Sequence, residues 1–322
     1  MMVMKIFITG GAGFIGYHLA KKLVADGDEV IVFDSFLNYI DPQKSRYLDY
    51  LKLRLDFLEK NAKIIRGDIR HKSHLLNSLR QEEPDCIVHL AALPIATASN
   101  KFPEDAIDIN FNGTVNVLEA IRTSNTVEKF ILTSSSMVYG NFQKIPADEN
   151  HPTNPLDVYG ATKLSSEKLT KAYATQYGVK YSIIRPSAVY GPTDANRRVT
   201  QIFIENAFTK KPITLHNGGQ SKLDFTFVDD IAEGFRLAIK SKKAVGETFN
   251  ITRGEGRSLK EFVDILRTMI PGIQTTEEPP DVKRPERGAM DISKARTLLG
   301  YDPKYSLEEG MKIYVDFIKR NL

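Results

Sequence analysis

The amino-acid sequence predicts an α/β protein organised around a doubly wound parallel sheet. Short apolar runs typical of buried strands alternate with helical patterns of ten to fifteen residues. A glycine-rich turn joins the first of these strands to the first helix. In such a sheet, ligands bind beyond the carboxyl ends of the strands. We therefore expect the functional residues to lie at the strand ends.

The turn after the first strand contains three regularly spaced glycines. Gly10 allows a sharp turn, Gly13 lets the backbone approach a pyrophosphate, and Gly16 lets the helix pack on the strand. The helix start presents free N–H groups to the phosphates. The second strand ends in Asp34, which is placed to accept hydrogen bonds from the adenosine ribose and repels a 2′-phosphate. The pattern predicts an NAD site, whereas a turn that only joins core elements leaves Asp34 unexplained.

The next elements continue the alternation. Residues 42–60 are polar and helix-prone, which predicts an exposed insertion. A third strand over 62–66 leads to Asp68, which either contacts adenine or caps a helix over 72–81. A strand over 86–90 ends in two alanines, whose small side chains allow a cofactor close to the backbone.

One further helix and one further strand precede the residues expected to carry the chemistry. Asn110 is polar on an otherwise apolar helix over 106–124, so we expect it to reach a neighbouring strand end. The following strand, 130–132, ends in a serine-rich segment.

Tyr159 and Lys163 form the predicted catalytic pair. They are four residues apart at the start of a helix that extends to about residue 177, so they share one helix face. An ammonium beside a phenol lowers the phenol's pKa, which would make Tyr159 a general base at neutral pH. The same spacing also occurs by chance on many helices, so its weight comes from the dinucleotide motif before it.

Composition narrows the classes of function. The chain has 322 residues, with 44 Lys and Arg against 40 Asp and Glu, and shows no long block of like charge, so neither nucleic acid nor a membrane surface is an expected partner. Cys86 is the single cysteine, which excludes an intrachain disulfide and favours a reducing compartment. Cys86 and His89 are expected in the core, and no cluster has metal-ligand spacing. Without a signal peptide or a long apolar run, the expected location is cytoplasmic.

Several of these motifs together resemble those of the extended short-chain dehydrogenase/reductases. Within this family the chain looks most like nucleotide-sugar epimerases related to UDP-galactose 4-epimerase, over nearly its whole length. The matching segments are residues 9–16, Asn110, residues 133–140, 159–163, 185–192, 223–230 and 291–295.

The resemblance implies a Rossmann-type fold, a cofactor and a set of site residues. Catalytic roles fall on Ser135, Tyr159 and Lys163. The residues expected to contact NAD are Gly10, Gly13, Phe14, Ile15, Gly16, Asp34, Asn38, Asp68, Ile69, Leu90, Ala91, Ala92, Asn110, Tyr159, Lys163 and Pro186.

The resemblance also implies two interlaced domains. Residues 1–186, joined by 225–252, would form the NAD-binding domain. Residues 187–224 and 253–322 would form a smaller domain that binds a nucleotide-diphosphate sugar. Residues 277–287 are expected to form a loop or lid, and 258–269 and 291–299 short surface helices. Relatives pair as homodimers, for which the candidate helices are 105–123 and 158–177.

Two phosphate-binding side chains of the relatives are absent here. Ala188 replaces an asparagine, and Leu223 replaces an arginine. Arg284 matches a diphosphate-binding arginine. The other predicted substrate contacts are Ser135, Arg197, Arg198 and Lys222, with Arg287 as a further candidate.

The expected reaction is 4-epimerisation through a transient 4-keto sugar. Related dehydratases carry an Asp–Glu pair where this chain has Ser136 and Met137, and related decarboxylases carry a Glu at the Met137 position. A 4-dehydrogenase needs no further side chain and is the main alternative. Net reduction of a ketone is a weaker alternative, because Asp34 argues against NADPH. An NAD-binding sensor without catalysis is a third alternative, although it would not need the Tyr159 and Lys163 pair. The sequence leaves open the base, the sugar and the carbon that is epimerised.

Overall fold

The computed structural model describes residues 3–37, 46–281 and 284–321, so Asn38, a predicted cofactor contact, lies outside the described residues. Seven parallel strands form the main sheet, in the order β3-β2-β1-β4-β5-β6-β11. They are β1 (Lys5–Thr9), β2 (Glu29–Asp34), β3 (Lys63–Arg66), β4 (Cys86–His89), β5 (Lys129–Thr133), β6 (Tyr181–Pro186) and β11 (Glu247–Ile251). The strand order reverses between β1 and β4, which confirms the predicted doubly wound sheet.

Among the described residues, six further strands pair outside the main sheet, as β7 with β10, β8 with β13, and β9 with β12. They are β7 (Val189–Tyr190), β8 (Ile213–His216), β9 (Lys222–Leu223), β10 (Thr226–Phe227), β12 (Arg257–Ser258) and β13 (Thr275–Glu278).

The described α-helices surround these sheets. They are α1 (Phe14–Ala25), α2 (Tyr47–Asn61), α3 (Lys72–Glu82), α4 (Ala96–Lys101), α5 (Pro103–Ala106), α6 (Gly113–Arg122), α7 (Val158–Tyr177), α8 (Val199–Phe208), α9 (Val228–Lys240), α10 (Leu259–Met269), α11 (Ser293–Leu299) and α12 (Leu307–Asn321).

The main sheet is covered on both faces because its strands are apolar on both sides. Ile6 and Ile8 of β1 belong to the core that includes α1, α9 and α11. Phe7, between them, belongs to the core that includes α3 and α6. Successive side chains point to opposite faces of a strand, so one short apolar run contributes to both layers.

A third apolar core lies under α8, α10 and α12. Between the segments that build it, residues of α9 and β11 return to the main sheet, where β11 pairs with β6. The chain therefore passes between the two regions more than once. The domain limits inferred from the sequence stay predictions.

The exposed insertion predicted over residues 42–60 is wrong where the structure describes it. Helix α2 buries Tyr50, Arg54 and Leu58, which are no more than 3% exposed. These residues are four apart and share one helix face. The charged Arg54 on this buried face made the segment resemble an exposed helix in the sequence.

Two other expectations need correction. The helix predicted over 106–124 contains a π-helical segment, Ile107–Asn112, before α6. Glu277 and Glu278, predicted in a loop, belong to β13 and pair with β8. The surface helix predicted over 258–269 is also wrong, because Phe262, Val263 and Leu266 of α10 are fully buried.

Candidate active site

A cavity of about 1240 Å³ runs from the glycine turn across the carboxyl ends of the strands. It brings together almost all the predicted site residues that the structure describes. Those lining it are Gly10, Gly13, Phe14, Ile15, Gly16, Asp34, Asp68, Ile69, Leu90, Ala91, Ala92, Ser135, Tyr159, Lys163, Pro186, Arg197, Arg198, Lys222 and Arg284.

The glycine turn leaves no room for side chains. Gly10 has φ +71°, and a Cβ on it would lie 2.6 Å from the backbone N of Ala91. A Cβ on Gly16 would lie 2.6 Å from the backbone O of Gly10. No side chain caps the N-terminus of α1 at Gly13. The bare backbone and helix start form a cradle of the kind that a pyrophosphate requires.

Asp34 is held at the end of β2, facing this cavity. Its carboxylate accepts hydrogen bonds from the backbone N–H groups of Ala12, at 3.0 Å, and Phe36, at 2.8 Å. Burial raises the pKa of Asp34, and these two hydrogen bonds oppose the rise. The contacts fix the carboxylate beside the glycine turn, where the ribose of a dinucleotide fits.

Ser135 and the start of α7 are packed closely together. Ser135 follows β5, and its Oγ accepts a hydrogen bond from the backbone N of Met137 at 3.2 Å. Asp157 caps α7 by accepting from the backbone N of Gly160 at 2.7 Å. A Cβ on Gly160 would lie 2.7 Å from the backbone O of Met137. Glycine at 160 therefore lets the helix bring Tyr159 up to the serine segment.

Lys163 lies beneath Tyr159 and is anchored by the sheet. Its Nζ donates to the backbone O of Thr133 at 2.9 Å and lies 5.9 Å from the centroid of the Tyr159 ring. Burial lowers the pKa of Lys163 to about 8, with the Glu167 carboxylate opposing the shift. The Lys163 side chain is therefore held in place where it lines the cavity.

The prediction that the pKa of Tyr159 is lowered is wrong. Desolvation in the cavity raises the pKa of Tyr159, against the opposing effects of the Arg198 charge and a hydrogen bond with Ser135. Burial of the phenol disfavours its ionised form more than the Arg198 charge and the Ser135 hydrogen bond favour it.

Asn110 is a brace and does not line the cavity. Its Oδ1 accepts from the backbone N of Leu93 at 2.7 Å, and its Nδ2 donates to Thr162 Oγ1 at 3.1 Å. The side chain therefore ties the segment after β4 to α7. The predicted reach to the segment after a strand end is observed, and the predicted contact with NAD stays a prediction.

A buried ion pair behind the serine segment was not predicted from the sequence. Arg185 donates to both oxygens of Glu167, at 2.8 and 2.6 Å. Glu167 also accepts from Ser134 Oγ at 2.5 Å, and Arg185 donates to Tyr139 Oη at 2.9 Å. The spacing of Glu167 one turn after Lys163 was a signal of a shared helix face. This network holds Ser134, which precedes Ser135, and Glu167, which lies one helical turn after Lys163.

Arg54 is a second group that sequence reasoning missed. It lines the cavity from α2 and donates to the backbone O of Ala12, at 3.2 Å, and to that of Thr193. Arg54 thus links the glycine turn to the segment before α8. Its position four residues from both Tyr50 and Leu58 was the available signal.

The predicted substrate contacts differ in their surroundings. Arg284 is exposed and pairs with Asp281 at 2.9 Å, and Arg197 pairs with Glu205 at 3.4 Å. Arg198 lies near Tyr159, since its charge acts on the phenol. Lys222 is exposed at the cavity rim.

Cys86 and His89 are buried as predicted. Burial raises the pKa of the Cys86 thiol to about 12 and lowers that of His89 to about 3. His89 is engaged by the hydroxyls of Thr9, at 2.7 Å, and Thr114, at 3.1 Å. Within residues 3–37, 46–281 and 284–321, no group of three His, Cys, Asp or Glu could hold a metal, and no helix is long and apolar enough to span a bilayer.

The sequence and the fold both match known proteins. A sequence profile of the NAD dependent epimerase/dehydratase family matches residues 6–252. A putative UDP-glucose 4-epimerase of Methanocaldococcus jannaschii is 33% identical, over 98% of this chain and 99% of that protein. UDP-glucuronic acid decarboxylase 4 of Arabidopsis thaliana is also 33% identical, over 99% of this chain but 69% of that protein.

A solved structure extends the match to the whole fold. The crystal structure of UDP-glucuronic acid 4-epimerase from Bacillus cereus, with UDP-glucuronic acid and NAD, has a TM-score of 0.91 and 31% identity, covering 99% of this chain and 100% of that chain. The predicted NAD cofactor and Rossmann-type fold are confirmed. The chain therefore belongs to the NAD dependent epimerase/dehydratase family of extended short-chain dehydrogenase/reductases.

Proposed function

We propose that this protein is a nucleotide-sugar 4-epimerase that oxidises C4 transiently and returns the hydride to the other face of the 4-keto sugar. The main support is the convergence of Ser135, Tyr159 and Lys163 on the cavity that also contains the glycine cradle. The relatives that bear the name 4-epimerase match this chain over nearly its full length.

The residues around the cradle would hold the cofactor. Asp34 would bind the adenosine ribose, and the turn at Gly10 and Gly13 the pyrophosphate. When bound, NAD supplies a reversible hydride acceptor. Because the hydride returns to the sugar, the cofactor is regenerated in each turnover.

Tyr159 is the proposed acid and base. Its phenol oxygen would take the proton from the C4 hydroxyl during oxidation and return it during reduction. Ser135 would hydrogen-bond the same sugar oxygen. The Arg198 charge offsets part of the cost of ionising the phenol in the cavity. Lys163 Nζ lies 5.9 Å from the centre of the Tyr159 ring, where its charge would add to this effect.

The residues beside Ser135 disfavour the sister reactions. Elimination of water or loss of the C6 carboxyl group in relatives uses carboxyl side chains after the catalytic Ser or Thr. Here Ser136 and Met137 occupy those positions and both line the cavity. Neither is an acid or base at neutral pH.

The substrate is proposed to be a UDP-sugar, as in the named relatives. The diphosphate would lie against the cations Arg197, Arg198, Lys222 and Arg284. These side chains would bind the phosphates in place of the asparagine and the arginine of the relatives. At those two positions this chain has Ala188 and Leu223. In this proposal, residues 187–224 and 253–322 form the sugar-nucleotide domain.

The proposed assembly is a homodimer through α7 and the helical segment around α6. Tyr177 and Ile107 are about half-exposed on these elements, which leaves apolar surface for a partner subunit. Sedimentation analysis would show twice the chain mass if this is right. The cytoplasmic location also stays a proposal and rests on the single buried cysteine.

The function is tested by incubating purified protein with a panel of nucleotide-diphosphate sugars. Mass spectrometry, proton NMR and absorbance at 340 nm would follow the products. An unchanged mass, an altered coupling at C4 and no net NADH would support 4-epimerisation. A loss of two mass units with accumulating NADH would instead identify a 4-dehydrogenase.

A further inference from the structure

Two side chains from the first part of the chain hold the turn at Pro192 and Thr193. Arg54 of α2 donates from Nη2 to the backbone O of Thr193. His18 of α1 donates from Nε2 to the backbone O of Pro192 at 3.1 Å. Arg54 is 3% exposed and His18 is 7% exposed, so both contacts are shielded from water. Two consecutive carbonyl groups are therefore held by donors from two different helices.

The same two side chains lead back to the glycine turn. Arg54 Nη1 donates to the backbone O of Ala12 at 3.2 Å, and the backbone N–H of Ala12 donates to Asp34 at 3.0 Å. His18 belongs to α1, whose N-terminus would face the pyrophosphate of the cofactor. Arg54 and His18 thus form two bridges from the backbone that would meet NAD to the turn at residues 192–193.

This turn leads into the segment that carries two of the proposed substrate contacts. Arg197 and Arg198 follow it and line the cavity. Thr193 has φ +70° and Arg197 has φ +48°, which lie in the left-handed region that residues with a side chain rarely adopt. Such conformations persist only where the surrounding structure holds them. The positions of the two arginines therefore depend on the contacts that hold the turn before them.

We propose that Arg54 and His18 couple the cofactor site to the substrate site, so that residues 193–200 are more ordered when NAD is bound. A cofactor on the glycine turn would restrain the Ala12 backbone and α1, and the two bridges extend that restraint to the turn at 192–193. A nucleotide sugar that meets an already ordered segment loses less conformational entropy on binding. The coupling is reciprocal, so the sugar nucleotide strengthens NAD binding by the same factor.

Arg54 and His18 are positioning residues in this account, because they act through the backbone of residues 192–193. The inference rests on the proposed function only in taking Arg197 and Arg198 as substrate contacts. The coupling itself can be measured without a substrate.

Hydrogen exchange followed by mass spectrometry makes that measurement. Full-length wild-type protein and the variants Arg54→Met, His18→Phe and Leu58→Val would be compared without NAD and with saturating NAD. In the wild type, we expect NAD to slow amide exchange in residues 9–16 and also in residues 193–200. In Arg54→Met and His18→Phe, the slowing should persist in 9–16, which reports bound cofactor, and should be lost in 193–200.

Two of these variants limit the structural damage. His18→Phe keeps an aromatic ring against Phe14 and Tyr17 while removing the hydrogen bond to Pro192. Leu58→Val is the matched control, since Leu58 is fully buried on the same face of α2 as Arg54. Its shorter side chain weakens the packing of α2 without removing either bridge, so Leu58→Val should respond to NAD as the wild type does.

The exchange experiment can overturn the inference in three ways. Slowing confined to residues 9–16 in the wild type would show that the two sites are not coupled. Slowing of 193–200 that persists in both Arg54→Met and His18→Phe would show that the bridges do not carry the coupling. An equal loss in Leu58→Val would assign the effect to packing of α2. Each of these results leaves the proposed epimerase intact, because that function is judged by its products.

Calorimetric titration with UDP measures the size of the coupling. UDP carries no sugar and is not converted, so its binding can be followed with and without NAD. The wild type should bind UDP about 5- to 150-fold more tightly with NAD, the usual range for coupled sites, and Arg54→Met should bring this ratio close to one. An unchanged ratio in Arg54→Met would contradict the coupling. Failure of the wild type to bind UDP would instead count against the proposed UDP-sugar substrate.

Discussion

Tyr159 is the residue on which the proposed chemistry depends most. Replacing Tyr159 with Phe removes the proton acceptor but keeps the ring, so we expect kcat to fall by about 10²- to 10⁴-fold. Binding of NAD should be retained. Steady-state kinetics and NAD titration would measure the two effects. Tyr181→Phe is a suitable control because Tyr181 is the first residue of β6 and does not line the cavity. Unchanged turnover in Tyr159→Phe would remove Tyr159 from the mechanism.

Lys163 gives the reaction a limit at high pH. Its folded-state pKa is lowered to about 8, so the ammonium exists below that pH and is lost above it. If the cation supports the phenolate, kcat/KM should fall as pH rises through about 8, because kcat/KM reports groups of the free enzyme. The measurement is a pH profile of kcat/KM.

A variant that keeps its charge provides the control for this profile. Lys163→Arg stays protonated at these pH values, so its activity should be lower but should not fall near pH 8. The same fall in this variant would show that another group titrates.

At the scale of elements, the glycine turn is held by close backbone packing. In Gly10→Ala, the new Cβ meets the backbone of Ala91 and the residue keeps a positive φ, so we expect a loss of about 3 kcal/mol or more in unfolding free energy. Gly27→Ala is the matched control, since Gly27 has φ +83° with no atom within 4 Å. It should cost only about 1 to 2 kcal/mol. Denaturant unfolding would measure both, and equal losses would show that close packing at Gly10 is unimportant.

The elements also show what local pattern predicts and what it does not. The strands of the main sheet were predictable because buried parallel strands are continuous apolar runs. Helix α2 was misplaced on the surface because its buried face includes a charged residue, Arg54. The acceptor from Thr193 lies 139 positions away in the sequence, so no local pattern reveals that Arg54 can be buried.

At the scale of the whole molecule, NAD binding should stabilise the fold. The cavity joins the glycine turn to segments of the second half of the chain, so a cofactor bound there contacts both. At 100 times its Kd, NAD should raise the unfolding free energy by about 2.7 kcal/mol. NADP at the same concentration should stabilise less, because Asp34 repels the 2′-phosphate. Thermal unfolding with each cofactor measures this difference.

Asp34→Asn tests the origin of that preference. The amide removes the negative charge but retains polar atoms at the same position, so the difference between NAD and NADP should narrow. Stronger stabilisation of the wild-type protein by NADP would contradict the account of cofactor choice.

The candidate site was predictable to the extent that its residues follow strand ends. Parallel strands bring their carboxyl ends to one edge, which is why Gly10, Asp34 and Ser135 line one cavity. The exact partners of Asn110 and Arg287 could not be predicted, because their contacts are long-range. Arg287 donates a hydrogen bond to Ser136, which lies 151 positions away in the sequence. That its Nε is buried without a hydrogen-bond partner among the described residues is known only from the structure.

The most direct test of the proposed 4-epimerase is the fate of deuterium placed at C4 of the UDP-sugar. NMR and mass spectrometry of the product would locate the label after incubation with the NAD-bound protein. Transient oxidation with return of the hydride predicts an epimer that retains deuterium at C4, with no deuterated NADH released. Loss of the label to NADH, or its appearance at C6, would contradict 4-epimerisation and identify a dehydrogenase or a dehydratase.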